Sequence, residues 1–324
     1  MAWKLLSQEV PEALAEGLHP VIRVLLEARG YTTPEEQEHF LAPDYDRDVY
    51  DPFLFSQMER VVERVKKARE QKEKVGIFGD FDADGITSSV LLRDGLEALG
   101  MDYVVYIPDK LREGHGLSSA GVDFFSQAQT TLVFTLDCGM MNHTEISSLK
   151  EHGIETIIID HHHVPEVLPE AYAIINPKLP NEGYPFRELC GAGTTFKVVQ
   201  ALYTRLLPER LEQLKWVLDV VATGTVADVM PLIGENRALV KYGLLVLGKT
   251  RRLGFQALIR TGRLKIDEWN AAKAQTISFQ IAPRLNAASR MAHAMLAHQL
   301  LVAQDLESAE KLAVELENLN LARP

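Results

Sequence analysis

The hydrophobic period of the chain changes near residue 72. Before that point apolar residues recur at helical spacing, as in HPVIRVLLEARG and MERVVERVKKAREQKEK, and TPEEQEHFL opens on a Thr followed by Pro, a helix-start signature. Beyond it, short β-branched runs alternate with helical stretches. Strands are predicted at Val75–Phe78, Tyr103–Ile107, Leu132–Leu136 and Thr156–Ile159, with helices at Thr87–Leu99 and Thr144–His152. That alternation implies βαβ units, so the fold class expected is α/β, a parallel sheet flanked by helices. After Pro177 the pattern is mostly helical, ending in an amphipathic run over Ala292–Leu321. The organisation expected is an N-terminal helical segment packed on the core over 1–72, an α/β domain over 73–230, and a helical extension over 231–324.

Open parallel sheets gather ligands at the carboxyl ends of their strands. Three of the predicted strands run directly into chemistry-bearing residues: Gly79-Asp80, Asp137-Cys138-Gly139, and Asp160-His161-His162-His163. Convergence of these segments on one edge is therefore expected.

Within Asp80-Phe81-Asp82-Ala83-Asp84-Gly85, three carboxylates stand at alternate positions on a turn leaving a strand. Carboxylates this close repel one another unless a cation neutralises them, and a hard divalent metal does so economically. A calcium EF-hand opens the same way, but its twelfth position must be acidic and here it is Leu91, and a strand precedes the loop where a helix is required. An Asp-rich turn without a metal is the plainer alternative. His161 and His162 are candidate imidazole ligands, with Asp160 placed to fix a tautomer and His163 incidental. Asp137 follows a neighbouring strand, and Asp228 is an acid inside the apolar segment TGTVADVMPL. Oxygen-rich donors with an imidazole suit two Mn²⁺ or Mg²⁺ ions better than one zinc, and a metal pair suits in-line displacement at phosphorus. The segment Arg284-Leu285-Asn286-Ala287-Ala288-Ser289-Arg290 offers two guanidiniums and an amide for phosphates. Gly191-Ala192-Gly193-Thr194-Thr195 either presents backbone N–H groups to an anion or is a plain turn and cap.

Composition narrows the functional classes. A net charge of −11 argues against a protein that coats nucleic acid by bulk electrostatics, though not against local grip on one strand. The segment Lys249–Lys265 carries six basic residues and no acid, either a solvated helix face or a nucleic-acid track. Cys138 and Cys190 lack CxxC partners and read as reduced thiols. No run approaches the roughly 18 apolar residues of a membrane span, and the N-terminus lacks a leader pattern, so a cytoplasmic monomer is expected.

The ordered motifs GDFDADGITS, LDCG, DHH, CGAGTTFK, GTVADVMPL-GENR and PRLNAASRM resemble the RecJ family of DHH phosphoesterases over nearly the whole chain. That resemblance implies a 5′ to 3′ exonuclease core acting on single-stranded DNA in repair or recombination. It implies metal ligation by Asp82, Asp84, Asp137, His161 and Asp228, with Asp80 a ligand or close behind one, and catalytic roles for His162 and Asp160. Arg284, Asn286 and Arg290 would hold DNA phosphates, with Arg112 and His115 near the strand. Many relatives carry a metal-binding His where Phe78 stands here, leaving Asp80 to substitute, and Ser289 replaces a Gly. Such enzymes continue into a DHH-associated domain and often an OB-fold, so a C-terminal half or a single-strand-binding protein is an expected partner. The alternatives are a phosphohydrolase of short oligonucleotides, cyclic dinucleotides or pyrophosphate, and a non-catalytic DNA-binding scaffold.

Overall fold

A computed structural model describes residues 18–264, 266 and 272–322. The segment MAWKLLSQEVPEALAEG lies outside the described residues. Four helices come first: α1 (Pro20–Glu27), α2 (Pro34–Leu41), α3 (Tyr45–Asp48) and α4 (Met58–Glu70). Thr33 caps α2 through the backbone N–H of Glu36, whose carboxylate reaches back to the Thr33 N–H, and Pro34 occupies the first turn. The α/β part follows: β1 (Lys74–Gly79), α5 (Ala83–Ala98), β2 (Asp102–Tyr106), α6 (Ser119–Gln127), β3 (Leu132–Leu136), α7 (His143–Glu151), β4 (Glu155–Ile159) and β5 (Ala173–Ile175). The rest is helical: α8 (Gly191–Leu206), α9 (Leu218–Ala227), α10 (Gly234–Leu247), α11 (Leu253–Thr261), α12 (Ala274–Thr276), α13 (Ala282–Met291), α14 (Met295–Leu301) and α15 (Leu306–Ala322).

The five strands are all parallel in the order β2-β1-β3-β4-β5, with Val75 beside Leu132 and Leu132 beside Glu155. Alternate strand residues serve opposite faces. Val75, Ile77, Phe134 and Ile157 pack into the larger core with α5 and α8. Phe78, Val133 and Ile158 pack against Val122 and Phe125 of α6 and Ile146 and Leu149 of α7. The larger core runs without a break from Phe55 to Leu316. Among the described residues, no helix is long and apolar enough to cross a membrane.

Three elements differ from the pattern reading. The helix expected from Thr87 begins at Ala83, because Asp82 caps it. β5 was not anticipated: Ala173–Ile175 is three residues long, too short to show a period, and it pairs with the end of β4. The amphipathic run over Ala292–Leu321 is two helices, broken where Asp305 accepts the N–H of Ser308 at 2.8 Å and restarts the chain as α15. The basic segment is largely engaged by the protein itself. Arg252 reaches Asp94 at 2.6 Å, the Arg251 guanidinium lies 3.6 Å from the centre of the Trp216 ring, and Arg260 meets Glu310 at 3.2 Å. Lys265 lies outside the described residues.

A fully buried ion pair joins two of the later helices and ties them to the segment before α4. Lys197 of α8 meets Glu235 of α10 at 3.0 Å, both side chains 0% exposed, and Lys197 also donates to the Tyr50 carbonyl. Glu235 accepts the Tyr184 hydroxyl at 2.5 Å and the Tyr50 N–H at 3.2 Å. Removing one partner strands a buried charge. Lys197→Met is therefore expected to lower unfolding free energy in urea by about 3–5 kcal/mol, and a second change, Glu235→Gln, to recover part of that loss. A single-variant loss under about 1 kcal/mol would show that the pair is not structural.

Candidate metal centre

The first donors come from the turn between β1 and α5. Asp82 caps α5, its Oδ1 accepting the N–H groups of Asp84 at 2.9 Å and Gly85 at 3.0 Å. The turn closes tightly: a Cβ at Gly85 would lie 2.4 Å from the Asp80 carbonyl oxygen. Asp84 sits in the first helical turn, and its carboxylate accepts the N–H of Gly191 at 2.6 Å and of Ala192 at 2.9 Å. The anion facing the N-terminus of α8 is therefore the protein's own Asp84. Cys190 caps the same helix through the N–H of Gly193 at 3.3 Å.

β3 and β4 deliver the next donors. Asp137 follows β3 with φ at 61°, a left-handed conformation that Asp tolerates better than most residues and that clusters at functional sites. Its neighbour across the site must be glycine, because a Cβ at Gly191 would sit 2.7 Å from Asp137 Oδ1. Asp160 and His161 leave β4, and Asp228 is the C-cap of α9.

These segments meet at one edge. The donor atoms of Asp84, His161 and Asp228 lie within 4.8 Å of one another, as do those of Asp137, His161 and His162. His161 belongs to both groups: its Nε2 is 3.1 Å from Asp137 Oδ1, 3.5 Å from Asp228 Oδ2 and 3.8 Å from Asp84 Oδ2. Burial, then the negative charges of Asp84 and Asp82, raises the Asp137 carboxyl well above the usual range. Burial likewise lifts Asp84 to about 6, with Asp228 adding to the rise, and lifts Asp228 to about 6, with Asp82 adding to it. His161 is held below the ordinary imidazole value, chiefly by burial, so it is neutral and free to ligate. Among the described residues, buried Asp137 Oδ1 and both ring nitrogens of His161 have no hydrogen-bond partner. A divalent cation fits this donor set: it would satisfy those atoms and cancel the repulsion that disfavours the ionised carboxylates.

The remaining candidates fall in distinct places. Asp160 Oδ1 accepts from His162 Nδ1 at 2.8 Å and from the backbone N–H of His161 and His162. Burial is the strongest single influence and pushes the Asp160 carboxyl up, but the hydrogen bond and charge of His162, with the backbone N–H groups of His162 and Met140, together hold it low; the same hydrogen bond raises His162. Asp80 and Asp82 both lie outside these two donor groups, Asp82 capping α5 and Asp80 with its Oδ2 3.2 Å from His115 Nδ1. Phe78 is buried against α6. Asn286 Oδ1 accepts the Ala83 N–H at 2.8 Å, and Arg284 is bound to Glu317. Arg290 is exposed, and Arg112, 86% exposed, reaches only Asp109 at 3.8 Å.

Two contributors escaped the pattern reading. Asn176 donates to the His162 carbonyl at 3.2 Å, and the charge of Lys178 acts on both His161 and Asp228. Both follow the short β5, so the missed strand hid them. The glycines were a legible signal: a Cβ at Gly224 would come within 2.7 Å of Asp84 Oδ1, as one at Gly191 would crowd Asp137.

The raised carboxyls have a consequence for stability. A carboxyl with its folded pKa above about 3.9 favours the fold at low pH and loses that contribution as pH rises through the folded value. In chelator, the urea midpoint is expected to fall between about pH 4 and about pH 7 as Asp84 and Asp228 ionise near 6, and excess Mn²⁺ to restore it. Asp228→Asn should flatten that fall. Identical pH profiles for the two proteins in chelator would contradict the crowding.

Residues 74–225 match the family model described as DHH family, N-terminal domain. The single-stranded-DNA-specific exonuclease RecJ of Bacillus subtilis is 39% identical over 100% of this chain and 40% of its own length. The RecJ exonuclease of Haemophilus influenzae is 32% identical over 98% of this chain and 55% of its own length. The chain thus spans about half the length of these curated relatives. Exonuclease RecJ bound to manganese superposes with a TM-score of 0.75 at 35% identity, over 82% of this chain and 66% of that one. RecJ of Thermus thermophilus in complex with Mn²⁺ gives 0.77 at 32% identity, over 93% of this chain and 42% of that one. The motifs, the parallel sheet and these likenesses agree, and the chain belongs to the DHH phosphoesterase family as a RecJ-like protein.

Proposed function

We propose that this chain is a metal-dependent phosphodiesterase that degrades single-stranded DNA from its 5′ end, in DNA repair or recombination. The observation that carries the reading is His161 Nε2 set among Asp137, Asp84 and Asp228 at the carboxyl edge of the sheet, with buried donor atoms that no described residue satisfies. The relatives named as RecJ are single-stranded-DNA-specific exonucleases, and two of their structures hold manganese.

Asp82, Asp84, Asp137, His161 and Asp228 would hold two Mn²⁺ or Mg²⁺ ions, with Asp80 beside them. When bound, the ions lower the pKa of water and stabilise charge on the phosphoryl oxygens. The protein's part is to hold its donors together and aim them. Gly191 and Ala192 fix Asp84 with two N–H groups, and Asp160 holds His162 by Nδ1. That leaves His162, 57% exposed, with Nε2 to donate a proton to a phosphate or leaving oxygen. Lys178, Arg112 and Arg290 supply positive charge for the strand.

Asp137→Ala should cut manganese-dependent digestion of 5′-labelled single strands by more than the roughly 10–100-fold typical of losing an outer-shell partner. Its fold should survive, since removing the carboxylate relieves repulsion. Unchanged activity in a contaminant-free preparation would overturn the mechanism. Equal or faster cleavage of dinucleotides would instead assign the site to short oligonucleotides.

A further inference from the structure

Two side chains that the family resemblance assigns to DNA phosphates are committed within the protein. Asn286 Oδ1 accepts the N–H of Ala83 at 2.8 Å. Ala83 opens α5 between Asp82 and Asp84, and Asp82 Oδ1 takes the next two N–H groups, those of Asp84 and Gly85. The first donors of the helix are thus shared between a cap from its own turn and an acceptor from α13. Ala83 is buried, 1% exposed, so without Asn286 its N–H would be left without an acceptor. The turn would then shift to find a partner, carrying Asp82 and Asp84 with it.

The helix that supplies Asn286 is itself pinned. Arg284 forms a two-pronged pair with Glu317 of α15, Nε to Oε2 at 2.5 Å and Nη2 to Oε1 at 3.0 Å, and Nη1 donates to the Gln280 carbonyl at 2.5 Å. Its guanidinium lies against Gly262, where an added Cβ would come within 3.1 Å of Cζ. Leu285, Ala287 and Ala288 are buried beside it, so α13 has little freedom to rotate.

We propose that Asn286 is a positioning residue of the metal centre, holding the Asp82–Asp84 turn through the Ala83 N–H, and that Arg284, clamped to Glu317, fixes the helix from which it reaches. The inference rests on the reading of those carboxylates as cation ligands, and it replaces a direct phosphate contact at both positions. The two roles act on different quantities. A partner that orients ligands changes metal affinity by roughly 10–100-fold, whereas a phosphate contact changes strand affinity and its salt dependence.

The test is titration of the metal-free chain with Mn²⁺ alone, free Mn²⁺ being followed by electron paramagnetic resonance. Asn286→Ala is expected to bind Mn²⁺ about 10–100-fold more weakly, and Asn286→Asp, which keeps the acceptor oxygen, to stay within a few-fold of wild type. At saturating Mn²⁺, the KM of Asn286→Ala for single-stranded DNA and its salt slope should be unchanged. Glu317→Gln should weaken Mn²⁺ binding by a few-fold; a phosphate role for Arg284 predicts tighter DNA binding instead, because the arginine is released. Should Asn286→Ala fail to fold, Asn286→Asp and Glu317→Gln still decide the matter. Unchanged Mn²⁺ affinity in Asn286→Ala or in Glu317→Gln, with an altered KM for DNA, would overturn the proposal. A wild-type chain that binds Mn²⁺ but cleaves no DNA would sink the hydrolase reading alone, since the titration needs no activity.

Discussion

Repulsion among carboxylates is the constraint around which this molecule is arranged. Asp84 and Asp137 are almost wholly buried, Asp228 is close to both through His161, and the fold holds them together although burial and mutual charge disfavour their ionised forms. Covalent topology brings them there. Three parallel strands in the order β1-β3-β4 end side by side, and a sheet of this kind directs the residues following its strands to one edge. The rest of the site supports that crowding: N–H groups of α8 on Asp84, glycines where a Cβ would collide with a carboxylate, and a left-handed backbone at Asp137. Such an arrangement is costly without a cation and well suited to one.

Much of this was legible because two independent signals coincided. The period of the apolar runs located β1 to β4 within a residue at most ends, and the chemistry-bearing residues fell immediately after three of them. Neither signal alone would have placed Asp137 beside His161, which are far apart in the chain. Asp228 was less legible. An acid in an apolar segment promises a partner without naming it, and the fold sets Asp228, at the C-cap of α9, 3.5 Å from His161 Nε2.

What the sequence concealed follows from short elements and from side chains whose partners are distant. β5 is too brief to carry a period, and Asn176 and Lys178 were lost with it. An arginine and an asparagine in one helix are chemically fit for phosphate, and nothing in their spacing tells that Glu317 and Ala83 have already engaged them. The glycine-threonine segment that opens α8 offered N–H groups to an anion, and the residue that took them, Asp84, lies more than a hundred positions away.

The central claim concerns where a cation sits, so the most direct measurement is anomalous scattering at the manganese edge from crystals grown with Mn²⁺. The account predicts a peak within about 2.0–2.4 Å of His161 Nε2 and of carboxylate oxygens from Asp137, Asp84 or Asp228. A well-occupied manganese bound elsewhere on the molecule, with His161 still unligated, would contradict it.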